Sequence, residues 1–152
     1  MEVKISLLEA LEDAPFELLL LADPSEDLVK EYIKRGKCFI ATNNNDTVGV
    51  IVLIKTRPET MEIVNVAVHE NYQNKGIGKK LVLFAIKKAK EQQMKTIEIG
   101  TGNCGWSQLT LYQKCGFRIT GVDRDFFIKH YKEEIYENGI QVIDMVRLSL
   151  DL

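Results

Sequence analysis

Hydrophobic positions along the chain follow two periods, one of about two residues and one of about 3.6, which are typical of strands and helices. Residues 48–54 are apolar without interruption and predict the centre of a strand, which forms a hairpin with the strand before it. Turn residues separate the runs, above all the cluster at 43–46 and the strong hairpin signal Asn138-Gly139. We therefore predict strands at residues 3–8, 37–42, 47–56, 62–68, 96–101, 117–122 and 140–150.

The clearest helical pattern lies in residues 78–94. Its apolar stripe consists of Gly78, Leu81, Val82, Ala85, Ile86 and Ala89. Shorter helices are predicted at 15–21, at 107–114, and at 26–35 between the N-cap Ser25 and the stop signal Gly36. Residues 123–134 fit neither period. Early antiparallel strands, a central strand–helix–strand–helix unit and a late hairpin predict a mixed sheet with helices on its faces.

The composition is that of an ordinary soluble protein, with 45% apolar and 28% charged residues in a chain of 152. This length suits one domain, and we expect residues 1–152 to form it. No apolar run approaches the roughly 20 residues of a membrane helix, and acids interrupt the N-terminal segment, so neither a membrane span nor a signal peptide is predicted. Three cysteines without a C-x-x-C pair and only two histidines predict free thiols, a cytoplasmic protein and no metal site.

Charge is unevenly distributed along the chain. Residues 61–119 hold nine basic and four acidic residues, whereas residues 1–60 hold seven and eleven and residues 120–152 hold four and seven. A polyanionic ligand bound by the central segment and a cationic partner approached by the flanks fit this distribution, and a chance distribution of solvated side chains is an equal alternative.

Residues 73–78 read Gln-Asn-Lys-Gly-Ile-Gly and lie between a predicted strand and the start of the 78–94 helix. A helix start offers free backbone N–H groups and the positive end of the helix dipole, and glycines let the backbone approach a bulky anion. A phosphate-bearing ligand is therefore predicted at this loop. The loop lacks the third glycine of a dinucleotide-binding G-x-G-x-x-G and the glycine spacing of a P-loop, so neither of those sites is expected.

At this loop the sequence resembles the GNAT superfamily of acetyl-CoA-dependent N-acetyltransferases. Residues 73–78, after Val66-Ala67-Val68, look like the acetyl-CoA motif of the family, and residues 111–117 resemble its second signature, L-Y-x-x-x-G-F. The two motifs are specific together, and the resemblance covers roughly residues 45–122. It implies an α/β fold of the α+β type, a mixed and mostly antiparallel sheet of about seven strands with helices on both faces.

The resemblance also implies a site for acetyl-CoA, without a metal. In that family the loop holds the pyrophosphate, and the strand before it bends away from its neighbour and bonds the pantetheine amides through its backbone. Relatives often carry a cofactor-contacting asparagine at the position of Gly105, and we expect Asn103 to replace it. The implied cofactor-binding residues are Val66, Ala67, Val68, Gln73, Asn74, Lys75, Gly76, Ile77, Gly78, Lys79 and Asn103.

Acetyl transfer to an amine needs a base near the amine, whose pKa is about 10.4, and an acid near the departing thiolate, whose pKa is about 8.5. The resemblance implies Tyr112 as the acid; a packed aromatic side chain is the alternative. Glu62 is similar to a catalytic glutamate of some relatives and is the candidate base, directly or through a water. Other relatives use only ordered waters and backbone carbonyls.

Three further features concern the acceptor and the transferred group. A backbone N–H near residues 66–68 is implied as the donor to the acetyl oxygen. Asn65 is a candidate to orient the acceptor, or it fills a bulge in the strand. Asp144 alternates with Ile140, Val142 and Val146 in the predicted last strand, so it is either a hydrogen-bonded core group or a contact for a cationic substrate.

These observations predict an N-acetyltransferase that acts on the primary amine of a small cationic molecule by direct attack in a ternary complex. A protein amine, N-terminal or lysine, is the alternative acceptor. A non-catalytic acyl-CoA-binding sensor module is the alternative from another class. We expect no nucleic-acid or membrane partner, and the long final strand leaves a homodimer open.

Overall fold

Nine strands and five α-helices make up the fold in the computed structural model, which describes residues 1–152. The strands are β1 (Lys4–Leu7), β2 (Lys37–Asn43), β3 (Asp46–Arg57), β4 (Thr60–Val68), β5 (Thr96–Gly102), β6 (Arg118–Asp123), β7 (Tyr136–Glu137), β8 (Ile140–Gln141) and β9 (Met145–Asp151). The helices are α1 (Phe16–Ala22), α2 (Glu26–Arg35), α3 (Ile77–Glu91), α4 (Trp106–Lys114) and α5 (Phe126–His130). No helix combines the length and the apolar character needed to cross a membrane.

Seven of the strands form one sheet in the order β1-β2-β3-β4-β5-β9-β6, in which only β4 and β5 run parallel. Helices α3 and α4 cover one face of the sheet, and α1 and α2 cover the other. Because both faces are covered, β3 is apolar at consecutive positions: Ile51 and Leu53 pack on the α3 side, and Val50 and Val52 on the α1 side. The predicted fold class, a mixed and mostly antiparallel sheet between helices, is confirmed.

Strand β4 leaves its parallel neighbour halfway along its length. Its pairing with β5 extends from Thr60 to Ile63 and goes no further. On its other edge, β4 continues to pair with β3 as far as Val68. The register shifts there, since Val52 faces Asn65 and Leu53 faces Ile63, so that Val64 is the extra residue of a bulge. The result is a gap in the sheet between the second half of β4 and the end of β5.

The predicted last strand, residues 140–150, is wrong as a single element, because the chain is interrupted between β8 and β9. Asn103 causes the break: its Oδ1 accepts the backbone N–H groups of Ile143 at 2.8 Å and of Asp144 at 3.1 Å. Backbone groups that bond a side chain in this way are not available to a strand ladder. Asp144 therefore does not share an apolar strand face with Ile140 and Val142.

A dimer through the last strand would need that strand at an edge of the sheet, and β9 does not lie there. Strand β9 lies between β5 and β6, with partners on both sides, so it offers no free edge. The edges of the sheet are β1 and β6. The predicted Asn138-Gly139 hairpin is confirmed, with both residues at positive φ (54° and 75°) between β7 and β8.

The end of α2 offers a test of how tightly this helix joins the sheet. A Cβ on Gly36 would overlap the backbone carbonyl of Leu53 and the side chain of Ile54. We expect Gly36→Ala to lower the free energy of unfolding by roughly 1–3 kcal/mol, as overpacking does. Gly121→Ala is the matched control, since nothing lies within 4 Å of a Cβ there. Urea unfolding followed by circular dichroism measures both, and equal losses in the two variants would contradict the prediction.

Candidate active site

The gap between β4 and β5 leaves backbone groups of β4 without a strand partner. The N–H of His69 donates to the carbonyl of Val48 at 2.8 Å, which places Ala67 and Asn65 in the hydrogen-bonded pairs with β3. Since such pairs alternate, the N–H and C=O groups of Val66 and Val68 point away from β3 and into the gap. Val66 and Val68 thus present an open strand edge, whereas the backbone groups of Ala67 bond β3.

The glycine-containing loop directly after β4 contains successive backbone N–H groups that form no hydrogen bond within the protein. Asn74 and Gly76 adopt positive φ (61° and 82°), and Gly76 is the residue before α3. None of the six N–H groups from Asn74 to Lys79 donates a hydrogen bond within the protein; the first bonded one is that of Lys80, to Gly76 at 3.1 Å. Six successive donors at a helix N-terminus make a strong anion site, because the helix dipole adds positive potential there.

Between this loop, β4 and α4 lies a cleft of about 400 Å³, which we call the outer cleft. Gln73 braces it by donating through Nε2 to the carbonyl of Val68 at 3.1 Å. Most of the predicted cofactor-binding residues line the outer cleft: Val66, Ala67, Val68, Gln73, Asn74, Gly76, Ile77, Gly78 and Lys79. The structure adds lining residues that the sequence analysis does not assign to the cofactor: Leu21, Ala22, Tyr72, Ser107, Gln108 and Leu111.

Two predicted cofactor-binding residues do not line the outer cleft. The ammonium of Lys75 lies 5.8 Å from the centroid of the Tyr72 ring, and only the backbone N–H of Lys75 belongs to the row of free loop donors. Both polar atoms of the Asn103 side chain form hydrogen bonds within the protein. Its Oδ1 accepts the two backbone N–H groups after β8, and its Nδ2 donates to the carbonyl of Gln141 at 3.2 Å. Asn103 is therefore placed as a structural clamp between the end of β5 and that segment.

Tyr112 lies where the outer cleft meets a second space. Its side chain is 4% exposed and packs against Phe117, with ring centroids 6.4 Å apart. The hydroxyl forms no hydrogen bond within the protein and is not a fully enclosed atom, so it opens to the cavity. Burial raises the pKa of Tyr112 well above its ordinary value, so the phenol is protonated at neutral pH.

The second space, which we call the inner cavity, has a volume of about 160 Å³ and extends from the gap toward α1, α5 and the β7–β8 hairpin. It shares part of its wall with the outer cleft, and the shared residues are Leu21, Ala22, Val66, Gln108 and Tyr112. The two spaces therefore adjoin along these residues, and Tyr112 is part of their common wall. Groups bound in the two spaces would meet along this wall.

A polar cluster of four side chains lies along the inner cavity. Asp23 accepts hydrogen bonds from the hydroxyls of Tyr32 at 3.0 Å and Tyr131 at 2.8 Å, and Asn65 donates to the Tyr32 oxygen at 2.8 Å. Burial raises the pKa of both tyrosines, so their hydroxyls stay protonated donors. The sequence predicts Asn65 at this site but not Asp23, Tyr32 or Tyr131, since these lie on separate elements without a common pattern.

Comparison with known proteins agrees with this geometry. The model of the acetyltransferase (GNAT) family matches residues 5–117, which is most of the chain. The chain belongs to the GNAT family. It is 59% identical to the uncharacterized N-acetyltransferase YvbK of Bacillus subtilis (strain 168) over 151 residues, covering 99% of this chain and 97% of that protein.

Solved structures of GNAT proteins superimpose closely on the chain. An IAA acetyltransferase from Bacillus cereus ATCC 14579 is 52% identical with a TM-score of 0.96, covering 99% of this chain and all of the other. A GNAT acetyltransferase from Elizabethkingia anophelis with acetyl-CoA bound is 45% identical with the same TM-score, covering 99% and 98%. The resemblance to the GNAT family that the two motifs indicate is thus confirmed. The related proteins are acetyltransferases, and the one from Elizabethkingia anophelis binds acetyl-CoA.

Glu62, the base predicted from the sequence, does not line either space. Glu62 lies on β4 before the gap, with a side chain 21% exposed, and its Oε2 is 3.4 Å from Nη1 of Arg147. Burial raises the pKa of Glu62, and the attraction of Arg147 opposes this shift without cancelling it. Asp144 also lies off the cavity wall, where its Oδ1 accepts the backbone N–H of Asp125 at 2.8 Å.

The raised pKa of Glu62 has a measurable effect on the stability of this GNAT fold. A carboxyl whose pKa is raised by folding stabilises the protein fully only below its unfolded value, and this contribution is lost as the pH rises through the folded value. Relative to Glu62→Gln, the wild type should therefore lose stability as the pH rises from below the ordinary pKa of a glutamate through the raised pKa of the folded state. Thermal unfolding of both proteins across this range tests the sign.

The exposed Glu12→Gln is the control for loss of a carboxylate as such, and its difference from the wild type should not follow that trend. A difference between wild type and Glu62→Gln that stays flat or grows in favour of the wild type with pH would show that Arg147 outweighs burial.

Proposed function

We propose that the chain is an N-acetyltransferase that moves the acetyl group of acetyl-CoA to a primary amine of a small cationic molecule, by direct attack in a ternary complex. The observation that carries the proposal is the junction of the outer cleft and the inner cavity beside Tyr112. A donor in one space and an acceptor in the other would react at that point without a covalent enzyme intermediate.

The outer cleft fits acetyl-CoA in two ways. The six free N–H groups of residues 74–79 suit a pyrophosphate, which needs several converging donors. The open edge at Val66 and Val68 suits the pantetheine arm, an extended amide chain that pairs with a strand edge as another strand would. The side chain of Lys79, on the cleft wall, adds a positive charge near the same donors.

The transfer forms an N–C bond and breaks a C–S bond, so the amine loses one proton and the departing sulfur gains one. We assign the proton that the sulfur gains to the hydroxyl of Tyr112, which is protonated at neutral pH. The phenolate formed in this way takes up a proton from water, to which the amine gives up its own, so that the exchange balances. The inward-facing N–H of Val66 or Val68 is the donor to the acetyl oxygen as negative charge develops there. Glu62 would reach the amine only through water, since it does not line the inner cavity.

The shape of the inner cavity supports a small acceptor rather than a protein amine. Ile135, Glu137 and Val142 close it from the side of the β7–β8 hairpin, and Phe127 and Tyr131 from the side of α5. A polypeptide acceptor would need an open groove past these residues. The three cysteines are free thiols, which supports a reducing, cytoplasmic location for the reaction.

If the loop binds acetyl-CoA as proposed, Gly76→Ala should lower the affinity for CoA. Gly76 has a φ of 82°, and a Cβ there strains the turn that aims the loop donors. We expect the Kd for CoA to rise at least about tenfold, the loss of roughly one charge-assisted hydrogen bond. Isothermal titration calorimetry gives the value.

The control is Gly139→Ala, which carries the same backbone strain (φ of 75°) with equally open space, on the distant hairpin. Both variants should lose about 1 kcal/mol of stability, but only Gly76→Ala should lose CoA affinity. A parallel loss of affinity in both would show that the loop conformation has no special part in binding.

Tyr112→Phe tests the acid. Because general acid catalysis contributes about 10²–10⁴-fold, the rate of the chemical step should fall by that factor while the Kd for acetyl-CoA changes little. Single-turnover assays on an amine that a screen with mass detection has identified measure the rate. A decrease of less than about threefold would rule out the acid role, and CoA binding without turnover of any amine would favour a sensor over an enzyme.

A further inference from the structure

Asp23 is a buried carboxylate without a counter-charge. The residue is 8% exposed, and its oxygens accept only neutral donors: the backbone N–H of Ser25 at 3.1 Å and the hydroxyls of Tyr32 and Tyr131. None of the six ion pairs of the protein includes it. Buried carboxylates are normally paired with a cation, because three neutral hydrogen bonds do not replace the solvation of a full charge.

The inner cavity that Asp23 lines has no positive group of its own. Its twenty wall residues include two carboxylates, Asp23 and Glu137, but no lysine, arginine or histidine. The rings of Phe127 and Tyr131 add aromatic faces, which attract cations. Walls of one sign concentrate ligands of the opposite sign, so the cavity is suited to a cationic group.

Asp23 has room for one further donor. Three of the four lone-pair positions of its carboxylate accept bonds from Ser25, Tyr32 and Tyr131, so one lone pair is left. Asn65 holds this arrangement in place, since its Nδ2 donates to the Tyr32 oxygen at 2.8 Å and to the carbonyl of Leu19 at 2.9 Å. An ammonium supplies both the further hydrogen bond and the counter-charge that Asp23 lacks.

The position of Asp23 separates this cation from the nitrogen that is acetylated. Asp23 lines the inner cavity but not the outer cleft, whereas the two spaces meet at Tyr112 and Val66. A nitrogen held at Asp23 is therefore set back from the junction at which the acetyl group is transferred. We infer that Asp23 binds a second cationic nitrogen of the acceptor, so that the preferred acceptors are small diamines, or amines with a cationic group at a distance from the reacting nitrogen.

This inference rests on the proposed function and adds a specificity-determining residue to it. It competes with a purely structural role, in which Asp23 only joins the α1–α2 loop to Tyr131 across 108 residues of sequence. A structural latch would contribute to stability but would not distinguish acceptors by charge. The two roles can therefore be separated by comparing acceptors that differ only in the second nitrogen.

The experiment measures kcat/KM with diaminobutane and with butylamine, two acceptors of equal chain length. For the wild type we expect a preference for the diamine on the order of tenfold or more, as a charge-assisted hydrogen bond gives. In Asp23→Asn, which keeps the shape and removes the charge, the two values should come within about threefold of each other, mainly through a higher KM for the diamine. The Kd for acetyl-CoA should stay near that of the wild type, because Asp23 does not line the outer cleft.

Glu133→Gln is the matched control, because it removes one exposed acid two residues from Tyr131 that does not line the cavity, and it should keep the preference. Equal turnover of diamine and monoamine by the wild type overturns the inference whatever the stability of the variant, and leaves the N-acetyltransferase proposal intact. A preference retained by Asp23→Asn overturns it as well. CoA binding without acetylation of any amine overturns both proposals.

Discussion

The end of the pairing between β4 and β5 at Ile63 is the constraint on which the rest of the site depends. Up to that residue the two strands are an ordinary parallel pair. Beyond it, the bulge at Val64 turns Asn65 toward Tyr32 and the backbone of Leu19, and the next residue, Val66, presents its N–H and C=O to the gap. The extra residue, Val64, thus directs the side chain of Asn65 to one side of the strand and the backbone groups of Val66 into the gap.

The two halves of the site are built from different parts of the chain. The outer cleft depends on backbone: six N–H groups, two strand-edge residues and the positive φ angles of Asn74 and Gly76. The inner cavity depends on side chains, among them the polar groups of Asp23, Asn65 and Tyr131. Backbone geometry tolerates many sequences, whereas side-chain chemistry changes with one substitution. A family whose members share the acetyl donor and differ in the amine that they acetylate would be expected to divide the site in this way.

This division also explains how much of the protein can be predicted from its sequence. The loop, its glycines and most strands and helices follow local rules of spacing, so sequence patterns are enough to predict them. Tyr112 is indicated by the resemblance to the family. Asp23 escapes such reasoning because its partners Tyr32 and Tyr131 are 9 and 108 residues away, and no periodicity connects them. The interruption before β9 escapes it for a similar reason: the side chain that takes its backbone donors, Asn103, lies 40 residues upstream.

The clamp made by Asn103 links the two halves mechanically. It lies between the end of β5 and the start of α4, the helix that carries Tyr112, and it holds the segment whose Val142 forms part of the cavity wall. The tip of the β7–β8 hairpin is joined to the same region, since Nδ2 of Asn138 donates to the carbonyl of Cys104 at 3.2 Å. The hairpin, the cavity wall and the helix that carries Tyr112 therefore meet at two neighbouring residues, so a change at Asn103 or Cys104 would displace all three together.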